Sequence, residues 1–150
     1  MAWAPKTRRE VFAGVKALFG TVTGATYTDR IDVRDGPQGK AESYYSIGEF
    51  SEDAPGDVRA SSTDKAFVRA ETTIRFAFRL RPGFRETDRL DARDVLDRAH
   101  RATHASVVSG SPLGFEGVWL GATESQNDAQ EWVFFDCRTR WTSLFDLTVS

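Results

Sequence analysis

The chain has 150 residues, and 20 Lys and Arg against 22 Asp and Glu give a formal net charge of −2. This balance argues against a protein whose main role is to grip a nucleic-acid backbone, because such binding needs a net basic face. The 40% hydrophobic content argues against disorder, and the single cysteine, Cys137, excludes an internal disulfide framework.

The length predicts one domain over residues 1–150. No stretch approaches the roughly 20 apolar residues of a membrane span. The N-terminal residues Met1–Lys6 lack the apolar core of a signal peptide, so we expect a soluble protein of a reducing compartment.

The first half of the chain predicts one helix and two strands. Thr7-Arg8-Arg9-Glu10 is a capping box before an apolar run with helical spacing, which predicts a helix over 7–19 that stops at Gly20. Weak alternation predicts strands over Tyr27–Val33 and Tyr44–Phe50. The polar stretch 51–65 predicts a mobile loop.

The second half predicts a long strand, a helix and a final hairpin. Strict alternation over Ala66–Leu80 predicts a strand with one apolar face. Asp88–Thr103 predicts a helix with two exposed i,i+4 pairs, Asp94 with Arg98 and Asp97 with Arg101. Strands over Phe115–Ala122 and Glu131–Trp141 follow.

Together these elements predict an α+β fold: a mostly antiparallel five-stranded sheet with two helices packed on one face. The other sheet face would meet water or a neighbouring subunit. In the last strand Trp132 and Phe134 share a side with Arg138 and Arg140. Two alternatives account for these aromatic residues: the helices cover them, or they form an oligomer contact.

Carboxylates are plentiful, but no motif singles out a pair of them, or any other residue, for catalysis. His100 and His104 have the i,i+4 spacing of a shared metal site, but they also fit two surface histidines near a helix end. Cys137 lies on the apolar side of its strand and predicts a buried thiol. Asp91, Asp94 and Asp97 fit a solvated helix face. We therefore assign no catalytic, cofactor-binding or metal-binding residue.

The order of elements resembles that of a known family. An N-terminal amphipathic helix, the strand Tyr44–Phe50 leading into a charged loop, and the long strand Ala66–Leu80 are followed by a helix over Thr87–Thr103 and a hairpin over Phe115–Leu147. This pattern is similar to the tail terminator proteins of long-tailed bacteriophages and of phage-like gene transfer particles. The resemblance covers nearly the whole chain and rests on element order and length, with no specific residue motif.

The resemblance implies a structural virion protein at the neck end of the tail, assembled in the bacterial host cytoplasm. Such proteins form a homohexameric ring that ends polymerisation of the tail tube and provides the head-joining surface. The implied partners are further copies of the chain, the tail tube protein and a head-side connector or stopper. DNA passes through the ring without sequence-specific binding, and no cofactor, membrane or enzymatic activity is implied.

Seven residues are predicted to lie at a subunit or tube interface: Arg69, Glu71, Arg75, Arg79, Trp132, Arg138 and Arg140. We expect Arg69, Arg75 and Arg79 to meet carboxylates of an adjacent subunit, because only Glu71 offsets them on their strand face.

Three alternatives remain open at the level of sequence. The chain could be another connector, stopper or tube protein of the same particle. It could be a small α+β enzyme of the isomerase or cyclase kind, which would need converging polar groups in a pocket between sheet and helices. It could also be a regulatory or interaction domain.

Overall fold

Two long antiparallel strands form the centre of the protein. A computed structural model describes residues 4–52, 65–108 and 115–146, with only the backbone described at 105–108. These ranges contain, in chain order, α1 (Arg8–Thr23), β1 (Thr26–Tyr27), β2 (Ser43–Ile47), β3 (Ser51–Glu52), β4 (Lys65–Arg79), α2 (Arg85–Val108), β5 (Glu116–Gln126) and β6 (Trp132–Asp146).

The strands form one mixed sheet in the order β1-β2-β4-β6-β5, and β3 also pairs with β4. β4 and β6 pair along their whole length, from Lys65 opposite Asp146 to Arg79 opposite Trp132. β1 is parallel to β2, and the other pairs are antiparallel. The predicted α+β class and the mostly antiparallel sheet are confirmed. The described sheet has six strands rather than five, because Ser51–Glu52 pairs with β4.

The start of helix α1 is where the sequence predicts it, but its end is not. The Thr7 hydroxyl accepts a hydrogen bond from the Glu10 amide at 3.2 Å, and the Glu10 carboxylate accepts one from the Thr7 amide at 3.0 Å, so the capping box is confirmed. The helix does not stop at Gly20. It ends at Gly24, whose φ of 71° is left-handed.

Gly20 has a packing role inside the helix. The Tyr45 hydroxyl donates a 2.6 Å hydrogen bond to the Lys16 carbonyl. A Cβ at Gly20 would lie 2.9 Å from that hydroxyl oxygen. The glycine therefore allows the ring of Tyr45 to approach the helix.

The predicted strand over Tyr27–Val33 is wrong beyond Tyr27. The Asp32 carboxylate accepts a hydrogen bond from the Arg34 amide at 2.8 Å, and the Asp32 carbonyl accepts one from the Gly36 amide at 2.8 Å. An aspartate that bonds its own backbone two residues on favours a turn over a ladder. Residues 28–42, named here the covering segment, therefore form no strand, although Thr28 and Glu42 at the ends of this segment still bond to the backbone of β2 and β4. Residues 53–64 of the predicted mobile loop lie outside the described residues.

Helix α2 includes the predicted Asp88–Thr103 but is longer at both ends, and it lacks the predicted ion pairs. No ion pair joins Asp94 to Arg98 or Asp97 to Arg101 in the described part of the chain. Instead, Arg89 and Arg93 bind Glu124 of β5 at 3.2 and 2.8 Å. An exposed ion pair within one helix contributes little free energy. Such a pair therefore does not hold its side chains together against water or against a partner on another element.

Both helices pack on the same side of the sheet and form one apolar core with it. The members include Val11, Val15 and Phe19 of α1, Ala92 and Ala99 of α2, and Ile74, Phe76, Phe78, Val133, Phe135, Cys137 and Trp141 of the central strands. Neither helix in the described ranges combines the length and apolar character needed to cross a membrane.

Candidate interface surface

A row of charged side chains lies on the side of the sheet that faces away from the helices. Successive side chains of a strand point to opposite faces, so alternate residues of β4 and β6 share this side. We name it the open face and define it by Arg69, Glu71, Thr73 and Arg75 of β4 and Asp136, Arg138, Arg140 and Thr142 of β6. Among these residues, four arginines face two carboxylates.

The best-defined contact of the open face joins Arg75 to Asp136. The two residues are opposite each other in register, and the guanidinium forms two parallel hydrogen bonds to the carboxylate, Nε to Oδ1 at 2.6 Å and Nη2 to Oδ2 at 3.0 Å. Nη1 also donates to the Ile31 carbonyl at 3.2 Å. The hydrogen bonds to Asp136 raise the pKa of Arg75. This arginine thus fixes both the strand pair and the covering segment.

A second cross-strand pair joins Glu71 to Arg140. Arg140 Nη2 lies 2.7 Å from Glu71 Oε1. The side chain of Glu71 is 45% exposed and that of Arg140 is 35% exposed. The Nε of Arg140 is shielded from water and has no hydrogen-bond partner among the residues that the structure describes. This pair therefore leaves one donor of Arg140 unsatisfied.

Two arginines of the open face have no partner of this kind. Arg69 lies opposite Thr142, and Arg138 lies opposite Thr73, so neither has an acid directly across the strand pair. Both are exposed and form no ion pair with any described residue. Among the described residues, they are the arginines of this face without an ionic partner.

One end of the same sheet side is covered. Ile31 of the covering segment packs with Tyr44, Ala77, Trp132 and Phe134 in a second small core. Trp132 is 3% and Phe134 1% exposed. The alternative in which the helices cover these aromatic residues is wrong, because the covering segment buries them. The oligomer contact is not needed to account for them and stays a prediction.

Arg79 lies at this covered end. Its guanidinium stacks 4.4 Å above the ring centre of Trp132 and lies 3.7 Å from a Glu42 carboxylate oxygen. Gly36 also approaches the Trp132 ring, since a Cβ at this glycine would lie 2.5 Å from the ring. A cation over an indole is a stabilising arrangement, so Arg79 already has an intramolecular role.

The structure thus brings five of the seven predicted interface residues into one charged surface: Arg69, Glu71, Arg75, Arg138 and Arg140. It places Trp132 and Arg79 in the covered end. Sequence reasoning missed Asp136 as the partner of Arg75. The sequence shows that Asp136 and Arg138 share one side of the last strand. It does not show the register that places Asp136 opposite Arg75.

The other candidate residues are placed as follows. His100 stacks on Trp119 with ring centres 4.9 Å apart, and no group of three potential metal-ligating side chains occurs among the described residues. Cys137 is fully buried, as predicted, and its burial raises the pKa of the thiol. A cleft of about 420 Å³ lies between α2 and β4, where Arg81 and Asp88 already bind each other at 2.9 Å.

Comparison with known proteins finds no matching family model and no matching curated sequence. The similarity to tail terminators, based on element order, therefore stays a prediction.

Proposed function

We propose that this chain is a structural protein of a phage-type tail, which forms a homohexameric ring on the tail tube, ends polymerisation of the tube and provides the head-joining surface. The open face is the observation that supports this function. It is a broad, charged surface on rigid paired strands, and two of its arginines have no partner within the described chain.

The construction of this face suits a repeated contact between protein surfaces. The ion pairs Arg75–Asp136 and Glu71–Arg140 order side chains before any partner arrives. A pre-ordered surface loses less conformational entropy on association. A ring also needs head-to-tail contacts that close after one turn, and mixed charges specify which surfaces meet.

The space between helices and sheet favours a structural role over an enzyme. Phe19, Phe76 and Trp141 pack in it with rings that contact edge to face. Two of its polar members bond internally: the Thr72 hydroxyl donates to the Gly48 carbonyl at 2.8 Å, and the Thr139 hydroxyl donates to the Thr72 carbonyl at 3.1 Å. An isomerase or cyclase would need free polar groups in this place.

The test uses the purified chain and the tail tube protein of the same particle. Light scattering should give the mass of a hexamer, and negative-stain micrographs should show isolated rings. Tubes polymerised with the chain present should be shorter than tubes grown alone and should end in an added density.

Two results would overturn the proposal. A monomer at every concentration that leaves tube length unchanged would exclude a terminator. Long tubes formed by the chain alone would identify it instead as a tube subunit.

A further inference from the structure

The middle of the covering segment is held to the sheet by few contacts. Within residues 30–40, Ile31, Gly36 and Pro37 are buried, and the other residues are exposed. Of the hydrogen bonds among the described residues, one joins this stretch to a residue outside the covering segment. It runs from Nη1 of Arg75 to the Ile31 carbonyl at 3.2 Å. In the described chain, Arg75 is therefore the one polar anchor of this stretch on the sheet.

The orientation of this anchor depends on Asp136. The two parallel hydrogen bonds from Nε and Nη2 of Arg75 to the carboxylate fix the plane of the guanidinium. In that plane Nη1 points to the Ile31 carbonyl. Both charged side chains are partly exposed on the open face. One arginine thus contacts the charged surface of the sheet and the segment that covers its end.

The covering segment lies on an apolar patch that continues the open face. Ala77 follows Arg75 on the same side of β4, and Phe134 precedes Asp136 on the same side of β6. Ala77 is fully buried and Phe134 is 1% exposed, and both belong to the small core that contains Ile31. Without the covering segment, this patch would meet water directly beside the charged residues.

The apolar packing that closes the covering segment is limited. Of the apolar side chains within residues 30–40, Ile31 and Pro37 are buried and Val33 is 41% exposed. Segments with few buried apolar contacts open locally without unfolding of the whole domain. One hydrogen bond from a charged donor is therefore a large share of what keeps this segment closed.

We propose that Arg75 is a conformational switch that couples the open face to the covering segment. When a lysine or arginine of a partner takes over the Asp136 carboxylate, the guanidinium of Arg75 is free to turn, and the Ile31 carbonyl loses its donor. The covering segment then opens and exposes Trp132 and Phe134 beside the occupied open face. The coupling is reciprocal, because opening the segment also removes one of the contacts that orient Arg75. The switch is a property of the single chain and holds whether or not the proposed function is correct.

Thiol labelling of the native protein tests this switch. Ala77→Cys places a thiol under the covering segment, whereas the natural Cys137 is buried on the helix side of the sheet. A buried thiol reacts only after its surroundings open, so at low reagent concentration its labelling rate is proportional to the population of the open form. Mass spectrometry of labelled peptides follows both thiols in one molecule. The introduced thiol should react faster than Cys137, because the segment opens without the main core.

Two substitutions in this background act on the switch itself. Arg75→Ala removes the donor to Ile31 and should speed labelling of the introduced thiol by about tenfold, as for the loss of a hydrogen bond from a charged group. Asp136→Asn imitates the withdrawal of the carboxylate and should speed it by about threefold, because the ion pair is partly exposed. If Asp136 acts through Arg75, adding Asp136→Asn to Arg75→Ala should change the rate no further.

Arg140→Ala is the matched control. Arg140 is another cross-strand paired arginine of the open face, with Glu71 as its partner. No contact joins Arg140 to the covering segment in the described chain, so labelling of the introduced thiol should stay within about twofold of the background rate. Any general loss of stability in this variant should appear as faster labelling of Cys137, which reports opening of the main core.

Three outcomes would overturn the switch. Equal labelling rates of the two thiols would show that the covering segment opens only when the whole domain unfolds. An introduced thiol whose rate is the same with and without Arg75→Ala would show that apolar packing alone closes the segment. An equal effect of Arg140→Ala would show that Arg75 has no specific connection to it.

A second measurement avoids the substitution in the small core. The Ala41 amide of the covering segment donates to the Tyr44 hydroxyl at 2.8 Å. Its hydrogen exchange should therefore follow the same opening in a chain that keeps Ala77, and Arg75→Ala should speed this exchange while Arg140→Ala should not. Both measurements use the chain without a partner, so a negative result removes the switch and leaves the proposed function to its own test.

Discussion

On the helix side of the sheet, Phe76 and Trp141 are at most 1% exposed and each contacts the ring of Phe19. On the other side of the same strands, Arg75 and Asp136 form a polar pair whose side chains are 33% and 35% exposed. One side is stabilised by removing apolar area from water, and the other is ordered by directional polar contacts. The comparison teaches that apolar burial stabilises one side of this sheet, while directional polar contacts order exposed side chains on the other.

The largest effect should come from the helix side. Trp141→Ala removes a buried indole that contacts Phe19 and Phe115 and whose Nε1 donates to the Thr139 hydroxyl at 2.9 Å. We expect a loss of about 3–5 kcal/mol in the free energy of unfolding, as for other large-to-small core changes. Urea unfolding followed by circular dichroism measures it. A loss below about 1 kcal/mol would show that this side is not the main source of stability.

A smaller effect should come from the covered end of the other side. In Gly36→Ala the new methyl group meets the Trp132 ring at a residue whose φ is 81°. We expect a loss of about 1–3 kcal/mol, from overpacking and from the left-handed backbone together. The matched control is Gly24→Ala, where φ is 71° but no atom lies within 4 Å of the added Cβ. Equal losses in the two variants would mean that the contact with Trp132 adds nothing.

The smallest effect should come from the open face itself. A double-mutant cycle of Arg75→Ala and Asp136→Ala should give a coupling of about 0.5–1 kcal/mol, because the pair is well aligned but a third exposed. Arg138→Ala, which removes an unpaired arginine, should change the free energy of unfolding by no more than about 0.5 kcal/mol. A larger loss from Arg138→Ala than from Arg75→Ala would show that the pairing on this face has been assigned to the wrong arginine.

Much of the candidate surface was visible before the fold was known. Strict alternation in β4 separated Arg69, Glu71 and Arg75 from the apolar residues, and the same period in β6 separated Arg138 and Arg140. A period of two needs only neighbouring residues to be read, so it survives without tertiary information. The partner of each arginine was not visible, because it depends on the register between residues about 60 to 70 positions apart.

The sequence by itself determined where α1 begins, that β4 is a long strand with one apolar side, and that Cys137 is buried. These properties follow from caps and periodicity, which act over a few residues. Only the tertiary structure decided that α1 continues to Gly24 past the ring of Tyr45, that the covering segment buries Trp132, and that Arg75 is paired while Arg69 and Arg138 are not. Each of these depends on two distant segments meeting, and the packing of such segments overrides what either segment prefers alone.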